Sequence, residues 1–216
     1  MTATLSRHGR VRRGLSCAAA IGPLLAAWPR AARAGAQIEE PLANAVRSAL
    51  ANAVNDSAPP KPAFDTMDAR LVYLRWLGEM SGRLRKRESE HLRRVAFLET
   101  AWYESTRAGL EPSLVLGLVQ VESGFRQYAV SAAGARGYMQ VMPFWARLIG
   151  DGEPRRLFHM QSNLRFGCVI LRHYLDLERG DLFLALGRYN GSRGRPEYPN
   201  AVFASQRQWV YKPPVA

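Results

Sequence analysis

With 216 residues, 47% hydrophobic and 22% charged, the chain has the length and composition of one globular domain with an appendage, which excludes a largely disordered polymer. Two cysteines cannot staple a small secreted fold, and four histidines without close pairing leave no zinc framework, so no metal or organic cofactor is expected. The 30 Lys+Arg against 18 Asp+Glu give a formal charge of +12, which is the anomaly to explain.

Residues 1–34 hold six arginines (7, 10, 12, 13, 30 and 33) and no acid, and they enclose the apolar run Leu15 to Trp28. A basic head, an apolar centre and then Ala32, Arg33, Ala34 read as a secretory signal peptide cut after Ala34. The run is shorter than the roughly 20 residues a membrane helix needs, so no stable membrane insertion is expected after cleavage. Cleavage lowers the formal charge from +12 to +6, leaves Cys168 as the sole thiol, and implies a periplasmic or secreted location. Arg12 and Arg13 form a twin-arginine pair, which leaves the export route open.

Residues 38–55 read as a helix, followed by the proline-rich break 56–62 (DSAPPKP), which suits a linker. Met67, Leu71, Leu74 and Leu77 recur at helical spacing, as do Leu92, Val95, Leu98 and Trp102. Between them RLRKRESE is a solvated face or a joint. Pro112 sits where a first helical turn tolerates it, and 113–121 is almost wholly apolar, so this helix must be buried on most sides. Asn163 can cap a helix carrying Leu164, Cys168, Leu171 and Leu175, and Asp181 one carrying Leu182, Ala185, Leu186 and Tyr189. With no alternating strand pattern of useful length, the expected class is all-α. The expected divisions are the leader 1–34, a helical extension with linker over 35–91, a catalytic domain over 92–211 and a tail over 212–216.

Against this background Glu122 stands out. It lies on the stripe Val115, Val119, Glu122 of the apolar helix, two residues before Gly124, which is placed to end it. Low polarity raises a glutamate's pKa, so it can hold a proton near neutral pH and deliver it to a leaving oxygen. The alternative is an ion pair with Arg126, although Gly124 breaks the register that pair needs. Gly134 and Gly137 bracket a turn or a loop that lets backbone approach a bulky ligand. Met139 and Met142 can wall the acid or pack the core, with their spacing favouring the core. Gln140 offers an amide donor and acceptor, and Tyr189 a hydroxyl that needs a partner when buried.

The stretch ESGFRQYAVSAAGARGYMQVMP, continued by Asn163, Gly167, the run Gly180, Asp181, Ala185, Tyr189, Asn190, and Tyr198, resembles the signature of the soluble lytic transglycosylase family. The resemblance covers roughly residues 92–211. It implies a goose-lysozyme-like helical fold and cleavage of peptidoglycan glycan strands. Glu122 would be the single catalytic acid and base, oriented by the Tyr189 hydroxyl. Ser123, Ser131, Gly137, Met139, Gln140 and Asn190 would line the sugar cleft. The family's glutamate protonates the glycosidic oxygen and then helps the muramic acid C6 hydroxyl attack C1, giving a 1,6-anhydro ring without water, where ordinary glycosidases use two carboxylates. No second acid is obvious here, since Asp151, Glu153, Asp176, Glu178 and Asp181 read as loop, face or cap residues. The chain departs from the family's Tyr-Asn-Ala-Gly by placing Gly191 directly after Asn190, and Pro196, Tyr198 and Pro199 read as a rigid edge that guides the glycan.

Two rival classes share the scaffold: a non-cutting glycan-binding or envelope-assembly protein, and a muramidase that uses water. A nucleic-acid binder is disfavoured because the basic excess halves on cleavage and no groove-reading motif appears. The extension 35–91 resembles nothing named and suits support of the domain or tethering to a secretion or envelope machine.

Overall fold

The computed structural model describes residues 37–55, 62 and 64–212. The expected leader 1–34, nearly all of the break 56–62 and the last residues of the tail lie outside the described residues. Among those described, eight α-helices carry the architecture: α1 (Asn44–Asn55), α2 (Met67–Leu84), α3 (His91–Arg107), α4 (Pro112–Glu122), α5 (Pro143–Ile149), α6 (Met160–Leu177), α7 (Leu182–Asn190) and α8 (Glu197–Gln206), with a 3₁₀ turn over Pro154–Phe158. Among the described residues strand pairing is limited to isolated bridges from Arg136 to Val130 and Val141, and the class is all-α as expected. No helix among the described residues is long and apolar enough to cross a membrane.

The central element is α4. Pro112 opens it, and Leu114 to Val119 are all buried, with α3 and α8 packed against it. Gly117 permits the crossing: a Cβ there would lie 2.7 Å from the Gln206 Cα on α8. A glycine inside a helix costs about 1 kcal/mol relative to alanine, and here the contact between two backbones offsets that cost.

Three expectations shift. The helix expected over 38–55 starts only at Asn44, because Pro41 cannot continue a hydrogen-bonded turn. On α2 the helical period holds but the face does not: Met67, Leu71 and Leu74 are exposed, while Tyr73, Trp76, Met80 and Leu84 are buried. Aromatic area decides between the two stripes, since Tyr73, Trp76, Phe64 and Trp102 of α3 form one ring cluster with centroids 4.6–6.1 Å apart. The third shift is at α6, whose N-cap is His159; Asn163 lies inside the first turns and is fully buried.

RLRKRESE is a joint. Buried Arg94 collects the Glu88 and Ser89 carbonyls at 2.9 and 2.7 Å and so fixes the turn from α2 into α3. Asp181 caps α7 by accepting the Leu184 N–H at 2.9 Å, as expected. Helices α3 and α6 are joined by a buried pair in which the Arg165 guanidinium donates to Glu104 at 2.9–3.2 Å.

Candidate active site

Glu122 is the last residue of α4, and it is 6% exposed. The chain turns away through Gly124 at φ +59° and Phe125 at φ +68°. One carboxylate oxygen, Oε1, accepts the hydroxyl of Tyr198 at 2.5 Å, and Oε2 is buried with no hydrogen-bond partner among the described residues. Burial raises this carboxyl from 4.5 to about 8, against the hydrogen bond from Tyr198, which lowers it. Burial, followed by the neighbouring Glu122 charge, also pushes the Tyr198 phenol well above its ordinary value. The alternative pair with Arg126 does not form; that guanidinium donates through Nε to the Ser123 carbonyl at 2.9 Å.

The hydroxyl on the glutamate is therefore that of Tyr198, where the sequence suggested Tyr189. Tyr189 is fully buried on α7, close enough to feel the Glu122 charge, but its hydroxyl donates to the Met139 carbonyl at 2.8 Å. Tyr198, part of the rigid edge that the sequence suggests with Pro196 and Pro199, points inward to the acid. Its inward direction follows from α8 lying on α4, and the sequence signal for that crossing was Gly117.

The loop between α4 and α5 is held from several sides. Ser123 donates its hydroxyl toward the Tyr138 carbonyl at 2.7 Å, with the Val119 carbonyl at 3.2 Å. Ser131 accepts the Ala135 N–H at 3.1 Å and closes the turn around Gly134. Gln140, in the left-handed region at φ +50°, directs its amide N–H groups to the Gly137 and Ala129 carbonyls at 2.9 and 3.2 Å. The expected sugar-facing side chains of Ser123 and Gln140 are thus turned inward and bond the loop itself: Ser123 supplies a donor to the Tyr138 carbonyl, and Gln140 adds a second donor to the Gly137 and Ala129 carbonyls, which also accept the Gln140 and Gly137 backbone N–H groups.

Asn163 clamps this loop to α6. Its Oδ1 accepts the Met139 N–H at 2.7 Å, and its Nδ2 donates to the Arg136 and Leu157 carbonyls at 2.8 and 2.7 Å. Gly137 makes room at φ +75°, where a Cβ would lie 2.4 Å from the Asn163 Nδ2. Met139 itself is fully buried, and its thioether fills the notch over Gly167. It packs the core, which is the reading its spacing favoured. Asn190 gives its Nδ2 to the Ser192 hydroxyl at 2.9 Å and keeps a buried Oδ1 without a partner among the described residues. Gln37, ahead of α1, is buried beside Tyr189 and accepts the Met142 N–H at 3.4 Å, while Glu40 pairs with Arg188 at 2.8 Å.

The remaining carboxylates named in the sequence are occupied. Glu178 is held down to about 2 by Arg193 and Arg188, Asp151 is lowered by its bond from Arg156, Asp176 pairs with Arg172, and Glu153 caps the 3₁₀ turn. Glu104, the other buried acid, has the guanidinium of Arg165. Among the described residues no group of three or more His, Cys, Asp or Glu is placed to hold a metal ion.

Several known proteins are similar to this chain. Membrane-bound lytic murein transglycosylase C of Actinobacillus pleuropneumoniae serotype 5b (strain L20) is 45% identical over 73 residues, which are 30% of this chain and 20% of the relative. The transglycosylase of Enterobacteria phage PRD1 is 34% identical over 100 residues, 46% of this chain and 36% of the relative. The chain thus spans only a fifth to about a third of these relatives' lengths. A solved structure of an inactive mutant of the lytic transglycosylase Slt from Pseudomonas aeruginosa aligns with a TM-score of 0.42 at 23% identity, covering 65% of this chain and 27% of that one. The Transglycosylase SLT domain matches residues 99–210, more than half of the sequence, and the chain belongs to that family.

Proposed function

We propose that the chain is an exported lytic transglycosylase that cleaves the β-1,4 bond between N-acetylmuramic acid and N-acetylglucosamine in peptidoglycan and leaves a 1,6-anhydro end. The observation that carries this reading is the state of Glu122: a buried carboxyl raised to about 8, with one oxygen fixed by a phenol and the other without a partner among the described residues. Such a group is protonated at neutral pH and fits a general acid. In the proposed cycle Oε2 delivers its proton to the glycosidic oxygen while Tyr198 holds Oε1. The carboxylate then takes the proton of the muramic acid C6 hydroxyl as that oxygen bonds to C1, which regenerates the acid without water.

Tyr189 acts in this scheme as a positioning residue through the Met139 carbonyl. The guanidiniums and caps on the other carboxylates support a one-acid cycle over a two-acid hydrolysis. Periplasmic or extracellular action follows from the leader read in residues 1–34.

Mass analysis of digested cell wall tests the reading. Anhydro ends, lighter than reducing ends by one water, are expected, and reducing ends alone would replace the lyase with a muramidase. Glu122→Gln should abolish turnover while glycan binding stays measurable; full turnover in that variant would remove Glu122 from the chemistry.

A further inference from the structure

Beside the end of α4 lies a groove of about 470 Å³, within the roughly 300–1,000 Å³ typical of small-ligand sites. One wall is residues 125–130, the segment that leaves Glu122, and the other is the α2–α3 joint with the first turn of α3. Three guanidiniums line it, those of Arg87, Arg93 and Arg126, against a single carboxylate, Glu88. Arg93 is partly neutralised, with Glu88 at 3.6 Å and Glu90 at 3.8 Å. Arg87 lies over the Phe125 ring at 5.6 Å and meets no carboxylate among the described residues. Arg126 is held through Nε by the Ser123 carbonyl, so its planar head is fixed beside the end of the catalytic helix with its two terminal nitrogens unbonded to other described residues. On the rim Tyr128 is 70% exposed, a flat apolar surface with a polar tip.

A guanidinium held at Arg126, a second one at Arg87 and an exposed aromatic plane at Tyr128 match a short acyl peptide that carries carboxylates. A neutral sugar gives such an excess of positive charge nothing to neutralise. The peptidoglycan strand carries one chemical group of that kind, the peptide stem joined through the lactyl ether of its muramic acid. We propose that this groove is the subsite for the stem, in which Arg87 and Arg126 take its carboxylates and Tyr128 lies along its amide planes. The proposal rests on the transglycosylase reading and extends it to substrate class. Arg87 and Glu88 belong to the extension 35–91 and precede the family's match at residues 99–210, so the extension contributes part of one wall of the groove and is more than a spacer.

The test compares kcat/KM on two substrates: glycan strands bearing free-acid stems, and the same strands stripped of stems by an amidase that cuts the lactyl–alanine bond. Wild type should prefer the stemmed strands. An exposed ion pair contributes up to about a fivefold factor, so the preference should fall several-fold in Arg87→Gln and in Arg126→Gln, and roughly tenfold or more in Arg87→Gln/Arg126→Gln, through KM rather than kcat. Strands whose stem carboxylates are converted to amides should behave as stripped strands do with wild type. Equal losses on both substrates, or an unchanged preference in all three variants, would overturn the subsite. Cleavage of neither substrate by wild type would instead overturn the transglycosylase reading, so the two failures are distinguishable.

Discussion

Replacing Glu122 by glutamine should make the protein more stable as well as inactive, and the gain should depend on pH. The folded state keeps a proton that the unfolded chain releases above 4.5, and it does so up to about 8. Stability of the wild type therefore falls as pH rises through that interval, because the unfolded state binds fewer protons, and it levels off above about 8. At about 1.4 kcal/mol per pH unit the whole loss is about 5 kcal/mol, of which about 3 kcal/mol is already present at neutral pH. Glutamine does not titrate, its carbonyl can still accept the Tyr198 hydroxyl, and its amide occupies the position of the unpartnered Oε2. Urea unfolding of both proteins at about pH 5, 6, 7, 8 and 9 measures the difference. Glutamine should gain on the wild type by about 1.4 kcal/mol per pH unit up to about pH 8 and by nothing further above it. For a chain of this size that corresponds to several degrees in Tm at neutral pH, at roughly 2–4 °C per kcal/mol. A difference constant across the range would mean that Glu122 is already ionised in the fold, and the acid argued for above would not exist.

Tyr198→Phe should lower turnover roughly tenfold to a hundredfold, from loss of a hydrogen bond to a charged group, and should move the alkaline limb of the pH–rate profile upward because that bond lowers the Glu122 pKa. Tyr189→Phe should leave that limb in place, since its hydroxyl serves the Met139 carbonyl; a limb moved by Tyr189→Phe alone would reverse the two assignments. Gly137→Ala should destabilise by more than about 2 kcal/mol in urea titration, combining left-handed strain with a Cβ that meets Asn163 and Leu157; a neutral change would mean the loop is not clamped there. Arg165→Met should cost up to about 3 kcal/mol by removing the guanidinium that hydrogen-bonds buried Glu104 and leaving it Arg107 at 3.6 Å, and a neutral result in the same titration would show that Arg107 suffices.

The helical class, the apolar α4 with Pro112 at its first position and the cap at Asp181 were legible because period, proline position and capping chemistry are local properties. Glu122 was legible for the same reason, as an acid on an otherwise apolar stripe. What local pattern could not supply was direction between elements. Two helical stripes compete on α2, and only packing against Trp102 and Phe64 selects the aromatic one. The polar residues of the motif, Ser123 and Gln140, have the chemistry of sugar ligands, yet in the fold both donate to carbonyls of their own loop, a set of contacts that depends on the left-handed turn at Gln140. Tyr198 and Tyr189 are indistinguishable as buried phenols in one dimension. Which one reaches the acid depends on the crossing of α4 and α8 at Gly117, a long-range event.

Met139 receives Asn163 on its amide, Tyr189 on its carbonyl and the bare face of Gly167 on its sulfur, so one residue of the loop between α4 and α5 is bolted to α6 and α7 at once. A segment tied in this way has no independent melting temperature. Heating should extinguish cleavage and helical signal in one transition, with no folded but idle species accumulating between them.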